Sequence, residues 1–561
     1  MKPVKFKLIF VIVAVFCTGV WAQLPVLRAY TPNNTMPQTS NVTANPCGLP
    51  AKPQNCQMGF CMPGGSYSYY DHSYIVMDSI RLTVPSNSRY NLFLARPASG
   101  GTDSIRGRGN STSTQQKRPF RIRFNSRQGL FGKTPARSWA LLANHFERTS
   151  TLNAIAFSLG HRLGLPYTPT SEFVEMYVNN QYLGLYQMTE QIQVNPGRVN
   201  IDDMTGWLVE YTFQDPKAKD CQSYFITSKY DLTTFIKSPE DLPDSTGYRF
   251  VKRDINRLVD SMASNRFPNN GYRDFIDLES FAKYVLIQQL IDNHDFNSHS
   301  QDGAPPGSNY AWKDHNTRIH AGPLWDFDLS TGEFQMGFNY THFTNPNRQI
   351  NPRHPFYQRL WQDTVFLVKF KKAWQDNQAV FNTQIPAFID SLAGAIKASA
   401  IKNYRGCPAA GGGGGWGGGG QTPACNTTNM VDITAINSSQ YDQEITKLKN
   451  WWRDRVQFFG QQVNALNIDM SKDINQNPQV SVAPVRPVNT SKSLTLVKNG
   501  FKINATNSAS IKVFNLNGSV IHQQKFSGGN HAITLENLPK GMYMVNITID
   551  NKKQVLRVPV R

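Results

Sequence analysis

Apolar and polar positions alternate with a period of two near the start of the chain and recur at helical spacing later. The change of period divides the chain into regions. Residues 80–84 (IRLTV) and 120–124 (FRIRF) read as strands in a stretch that begins near Tyr74. Leu152, Ile155, Ala156 and Leu159 predict a helix over residues 149–163. VEMYV and YLGLYQM predict a hairpin between Phe173 and Met188 that turns at Asn179-Asn180. A more helical half follows, with helices expected over residues 250–263, 278–292, 355–374 and 380–401; Leu278, Phe281 and Val285 line one side of the second. A long helix over residues 441–466 carries Ile445, Leu448, Trp452, Val456 and Phe459. Beyond Leu494, IKVFNLNGSVI, HAITLENL and GMYMVNITI are short strands, punctuated by Asn517-Gly518 and Pro539-Lys540-Gly541. They predict a small antiparallel β-sandwich of about seven strands, with no catalytic grouping of its own.

The ends of the chain add a cellular context. Lys2, Lys5 and Lys7 precede a short apolar run, and Val20 and Ala22 suit a cleavage site before Gln23, so residues 1–22 read as a secretory signal peptide. No later run is long and apolar enough to span a membrane. Six cysteines remain: Cys47, Cys56, Cys61, Cys221, Cys407 and Cys425. An even number in an exported chain suggests up to three disulfides. Cys407 and Cys425 bracket a glycine tract and are expected to pair, which leaves Cys221 for one of the early cysteines. The formal charge is +19; three of those charges lie in the leader, leaving +16. Such a surface favours acidic partners, among them phosphate groups and anionic surface polymers, while export argues against nucleic acid. The expected organisation is an irregular cysteine-containing segment over 23–73, a main domain over 74–466 with the glycine-rich insert 407–425, a linker over 467–490, and the sandwich over 491–561.

Two segments carry the candidate chemistry, IDNHDFNSHS (291–300) and GPLWDFDLSTG (322–332). Phosphoryl transfer uses one carboxylate to orient the attacking group and others to hold a divalent cation on the phosphates. Asp295 is the candidate catalytic carboxylate, with Asn293 as a brace and Asp292 close enough to compete for the role. Asp326 and Asp328 stand at i and i+2, which in a strand places both on one face and makes a hard-oxygen site for Mg²⁺ or Mn²⁺. Asn309 is a further candidate ligand. In FRIRF, alternation sends Phe120, Ile122 and Phe124 to the core, with Arg121 and Arg123 on the other face and Lys117 at the same parity. Such cations can neutralise a triphosphate. Before them, RGRGNSTS offers Gly107 and Gly109 for close backbone approach, and Asn110 and Ser111 as small phosphate-binding donors.

The stretches RGRGNSTSTQQKRPFRIRF, LFGKTPARSWALLANHFERTSTLNAIAF and FVEMYVNNQYLGLYQMTEQIQV resemble the spore-coat-protein-H (CotH) kinase family, as do NHDFNS, NYAWKD and GPLWDFDLSTG in the same order. The resemblance implies an α+β fold with a bilobal, atypical protein-kinase-like core. It implies ATP and Mg²⁺ or Mn²⁺ as cofactors, and Ser/Thr phosphorylation of proteins at the cell surface. It favours Lys117 as the nucleotide lysine with Arg121 in support, and Glu190 as the glutamate that orients Lys117; Glu210 is a second candidate for that role. QDGAPPGS (301–308) departs from the family as an insertion ahead of Asn309. VFNLNG, LPKGMYMVNI and the basic end VLRVPVR resemble a type IX secretion sorting domain, which implies a Gram-negative source and outer-membrane export. Two other readings compete: a non-enzymatic adhesin or polysaccharide binder on a kinase-like scaffold, and a glycosidase using Asp295 and Asp326.

Overall fold

The computed structural model describes residues 23–37, 40–42, 54–57, 60–63, 69–71, 73–85, 94–97, 103–109, 111–115, 117–202, 205–212, 223–239, 246–297, 307–314, 317–335, 339–403, 436–474, 476, 494–497, 500–514, 520–539, 541–550 and 552–560. The leader, Cys47, Cys221, Cys407, Cys425, the glycine tract with Trp416, and residues 477–493 lie outside the described residues. Cys56 and Cys61 are opposite each other in a short two-stranded ladder. Apart from loops 202–206 and 314–318, one compact unit runs to Gln476 and a second begins at Asn477.

The first unit opens with a nine-stranded sheet. Its strands are β1 (Val26–Tyr30), β2 (Ile75–Val76), β3 (Ser79–Thr83), β4 (Leu94–Pro97), β5 (Ser104–Gly107), β6 (Phe120–Gln128), β7 (Ala136–Leu142), β8 (Ser171–Val178) and β9 (Gln181–Glu190). They run in the order β2-β5-β6-β7-β9-β8-β1-β3-β4. Only β1 and β8 pair in parallel. In β6 the alternation is obeyed: Phe120, Ile122 and Phe124 join one core with Trp139, Leu141, Val174 and Met188. Full burial of each such side chain contributes about 1.5–3 kcal/mol. The opposite face, through Ala140, Leu142, Phe173 and Leu185, belongs to a second and larger core.

That larger core gathers α1 (Leu152–Arg162), α2 (Thr246–Ala263), α3 (Leu278–Leu290), α4 (Thr364–Asp376), α5 (Ile385–Lys402) and α6 (Ser438–Ala465) around a second sheet. This sheet is antiparallel, with β10 (Trp207–Thr212), β11 (Tyr224–Ile226), β12 (Thr233–Ser238), β13 (Asn309–Lys313) and β14 (His320–Ala321) in the order β11-β12-β10-β13-β14. α3 is its pillar. Every α3 residue except Glu279 and Lys283 is buried, which explains why its apolar positions are not confined to one stripe. Asp277 caps it by accepting from Ser280 N at 2.7 Å. In α6 the expected stripe of Ile445, Leu448, Trp452, Val456 and Phe459 is buried.

Four expectations change. The lead-in 23–73 contains β1, a central strand, because VLRAY buries Leu27 and Ala29 between β8 and β3. The helix over 355–374 breaks at Asp363, whose carboxylate caps α4 at Val365 N (2.9 Å) and receives both Nε and Nη2 of Arg273. The linker begins later than residue 467: Asp473 pairs with Lys369 at 2.6 Å, and Gln476 accepts from Leu278 N at 2.8 Å, so this segment belongs to the first unit. The tail is one antiparallel sheet of five described strands, Leu494–Val497, Gly500–Phe514, Val520–Thr534, Gly541–Ile549 and Lys552–Val560, over its own core. Within the strand Gly500–Phe514, Asp550 accepts from the N–H groups of Thr506, Asn507 and Ser508 and holds a bulge there.

Candidate functional site

Lys117 lies in the turn before β6, and its Nζ donates to Ala143 O at 2.6 Å and to Leu185 O. It also stands 4.7 Å from the centre of the Tyr186 ring. The parity of β6 does not reach back to Lys117, because Arg118 and Pro119 intervene outside the strand, which begins only at Phe120. Burial pulls the Lys117 ammonium down to about 7, and the charge of Glu147 opposes that shift. Glu147 is itself buried and pushed up to about 7 by desolvation. It accepts from Thr149 Oγ1 and from Leu152 N at 2.8 Å, so it satisfies an orphan N–H of the first turn of α1. His145 beside them is kept neutral by burial and by Lys117.

This corrects the expected partner. Glu190 is held by Thr170, through N at 3.0 Å and Oγ1 at 2.9 Å, and faces Arg198 Nε at 3.8 Å. Five residue steps of extended β9 separate Leu185 from Glu190, roughly 16 Å. Glu210 is engaged by Lys237 at 2.5 Å and by the Tyr310 hydroxyl. No local signal marked Glu147, which stands five residues ahead of α1 and outside its N-cap position, Thr151.

A dip in stability near neutrality follows. Unfolded, Lys117 keeps its proton to an ordinary 10.5; folded, only to about 7, so stability rises with pH between those values. Folded Glu147 keeps its proton to about 7 instead of 4.5, so stability falls as pH rises between those values. Melting temperatures across this range should therefore pass through a minimum near pH 7. The double variant Lys117→Met, Glu147→Gln should flatten it; a minimum that persists would mean other groups cause it.

The carboxylates sit on two segments zipped together by main-chain and amide bonds. Asp295 is in a single helical turn, His294–Asn297, just beyond α3. Its N–H donates to Asn293 Oδ1 at 3.2 Å, while Asn293 Nδ2 donates to Gln288 Oε1 at 2.9 Å and to Asp326 O at 3.2 Å. His294 N reaches Leu329 O, and Thr331 N reaches Ile291 O. Asn293 is thus the brace expected of it, and it spans both segments. WDFD is not a strand. Asp326 adopts a left-handed φ of 65° in a loop, a conformation that strand alternation does not describe. Its Oδ2 accepts from Ser308 Oγ at 2.9 Å. The bend still brings Asp328 within hydrogen-bonding reach of Asp326.

Burial, then the charge of Asp326, pushes Asp295 up to about 8. Burial, then Asp326 and Asp295, pushes Asp328 well above the carboxylate range. Burial and mutual repulsion thus leave the three carboxyl groups sharing their negative charge rather than each carrying its own. Among the described residues no three His, Cys, Asp or Glu side chains form a closed cation cage. An open pair of carboxylates does fit Mg²⁺ or Mn²⁺, which take their other oxygens from phosphate and water. Asn309 has both ends of its amide engaged, Oδ1 by Tyr284 OH at 2.8 Å and Nδ2 by Gly307 O at 2.5 Å. It anchors β13, and its amide is not held ready for a cation.

The expected phosphate-binding cations separate. Arg121 donates to Ser138 Oγ at 3.2 Å and stands near Arg198, apart from the Lys117–Glu147 pair. Arg123 is exposed. Asn110 lies outside the described residues; Ser111 opens the turn Ser111–Thr114, and its side chain is likewise outside them. Gly109 has φ 93°, and a Cβ there would lie 2.3 Å from Thr112 Oγ1, so the tight turn needs glycine. The preceding Arg108 was not singled out by the sequence. Its guanidinium lies 5.2 Å from the centre of the Trp325 ring, and Asp326 is its foremost charge partner.

Comparison with known proteins finds two matching families. The CotH kinase protein family matches residues 105–459, and the secretion system C-terminal sorting domain matches residues 497–561. No curated protein matches the chain. The sorting tail indicates export, to the cell surface or beyond it. Among the described residues no helix is long and apolar enough to cross a membrane.

Proposed function

Since the chain belongs to the CotH kinase protein family, we propose that it is an exported protein kinase of a Gram-negative bacterium. It transfers the γ-phosphoryl group of ATP to Ser or Thr of surface or exported proteins. The nine-stranded sheet with Lys117 and the α3 region with the carboxylates serve as the two lobes of a kinase-like core. The observation that carries this reading is the charge-sharing set Asp295, Asp326 and Asp328, fastened by Asn293.

Asp295 orients the acceptor hydroxyl and takes its proton as the new oxygen–phosphorus bond forms and the bond from the γ-phosphorus to the bridging oxygen breaks, releasing ADP. Asp326 and Asp328 hold Mg²⁺ or Mn²⁺. A bound cation supplies charge neutralisation on the phosphates. Lys117, steadied by Glu147, neutralises the triphosphate when protonated. The lobes exclude water from the carboxylates.

Incubation of the exported chain with γ-labelled ATP and Mg²⁺ or Mn²⁺ tests the proposal. Metal-dependent labelling of itself or of surface proteins is expected, and its loss in Asp326→Ala and in Lys117→Ala. One observation favours a second reading, an inactive kinase-shaped binding protein: Lys117 Nζ already has two main-chain carbonyl partners. Absence of labelling, with no nucleotide-induced rise in melting temperature, would select that reading.

A further inference from the structure

Asp326, the proposed metal ligand, is the foremost charge partner of Arg108, and the local fold fixes the arginine in place. Its N–H donates to Pro119 O at 3.0 Å, and Gly109 turns the chain directly after it. Its guanidinium packs over Trp325, the neighbour of Asp326 in sequence. Arg106, on β5 just before it, adds like charge, while Asp326, Tyr310 and Glu210 attract it. Of the two carboxylates, Glu210 already has Lys237 at 2.5 Å. Asp326 has the Ser308 hydroxyl and the Asp328 and Asp295 carboxyls among its neighbours. Arg108 therefore brings positive charge to this cluster of carboxyl groups.

We propose that Arg108 is the built-in counter-ion of Asp326: it opposes binding of a bare divalent cation and favours the cation when it arrives on a nucleoside triphosphate. Both halves follow from charge. A guanidinium whose charge reaches a metal-binding carboxylate repels an incoming dication. A triphosphate reverses the sign, because its oxygens accept from the planar fork of arginine. The site would then admit metal and nucleotide together. The inference rests on Asp326 as a metal ligand, and not on phosphoryl transfer having occurred.

Free Mn²⁺ measured by its paramagnetic resonance signal tests this on the full exported chain, without ATP and with a non-hydrolysable ATP analogue. Arg108→Met should bind bare Mn²⁺ about tenfold more tightly than the native protein and the Mn²⁺–analogue complex about tenfold more weakly. Arg108→Lys, which keeps the charge and loses the fork, should leave bare Mn²⁺ binding unchanged and still weaken the complex. Asp326→Asn should abolish tight Mn²⁺ binding in every background. Equal or weaker bare Mn²⁺ binding by Arg108→Met would overturn the proposal, as would no Mn²⁺ binding by any form. The expected Mn²⁺ pattern without phosphate transfer would leave it standing and remove the kinase reading.

Discussion

Replacing Asp295 by asparagine is expected to lower phosphoryl transfer by roughly 10²–10⁴-fold, the usual contribution of a positioned general base, while the melting temperature rises. The two effects have one cause. The folded protein keeps the Asp295 carboxyl protonated to about pH 8, where an ordinary aspartic acid loses its proton near 3.8. Between those values the folded form binds more protons than the unfolded form, so stability falls as pH rises. An amide has nearly the same shape and has no charge to lose, so it escapes this cost. The bond that seats the turn, from Asp295 N to Asn293 Oδ1, uses the main chain and survives. The gain in melting temperature should be clear at pH 7 and shrink towards pH 4, since the unfolded carboxyl then regains its proton. The loss of activity should fall on kcat with little change in KM for ATP, because the interaction is made in the transition state. A variant that merely misfolds would lose both activity and stability. Unchanged kcat would remove Asp295 from the proposed chemistry, and a lowered melting temperature would contradict the burden assigned to its carboxyl.

What could be read in advance depended on how local the cause was. The hairpin at Asn179-Asn180 was legible because its turn residues act alone, and both adopt left-handed φ, 50° and 64°. Asp295 and Asp326 were legible because their segments carry several chemical types at short spacing. The Lys117 partner was not: Glu147 and Glu190 both lie near apolar elements, and the choice between them depends on which strand passes beneath the loop before α1. The Asp326 bend was hidden because alternation is defined only for extended chain. β1 was obscured by a lead-in rich in Pro, Asn and Cys, since its five residues find their place beside β8, far along the chain. Arg108 looked like any basic residue in RGRGN; only the approach of Trp325 and Asp326 distinguishes it.

Arg455 is expected to be among the most sensitive positions in the first unit, although it has no part in the proposed chemistry. Its side chain is fully buried on α6. Nε donates to Leu290 O at 3.2 Å, Nη2 to Gln289 O at 2.6 Å, and Nη1 to Pro346 O at 2.9 Å and Arg348 O at 2.5 Å. Gln289 and Leu290 end α3, where carbonyls lack helical partners and the helix dipole favours a cation. Burial pulls the Arg455 pKa down to about 10, opposed by Asp292, so it remains charged at neutral pH. Arg455→Met keeps much of the volume and leaves four carbonyls, two of them in fully buried bonds, without this donor. Breaking such a buried charged network typically costs about 3–5 kcal/mol. Arg455→Lys should recover only part, because an ammonium cannot span carbonyls from two segments as the fork does. The damage should also reach the site, since α3 runs directly into Asn293 and Asp295. Urea denaturation of the full chain checks the first point: a midpoint lowered with an unchanged slope is expected, and a loss below about 1 kcal/mol would mean the freed carbonyls find water. Residual phosphoryl transfer, measured well below the new midpoint, checks the second: the activity of the folded fraction should fall, since the fastening of α6 to the end of α3 also sets where Asp295 stands.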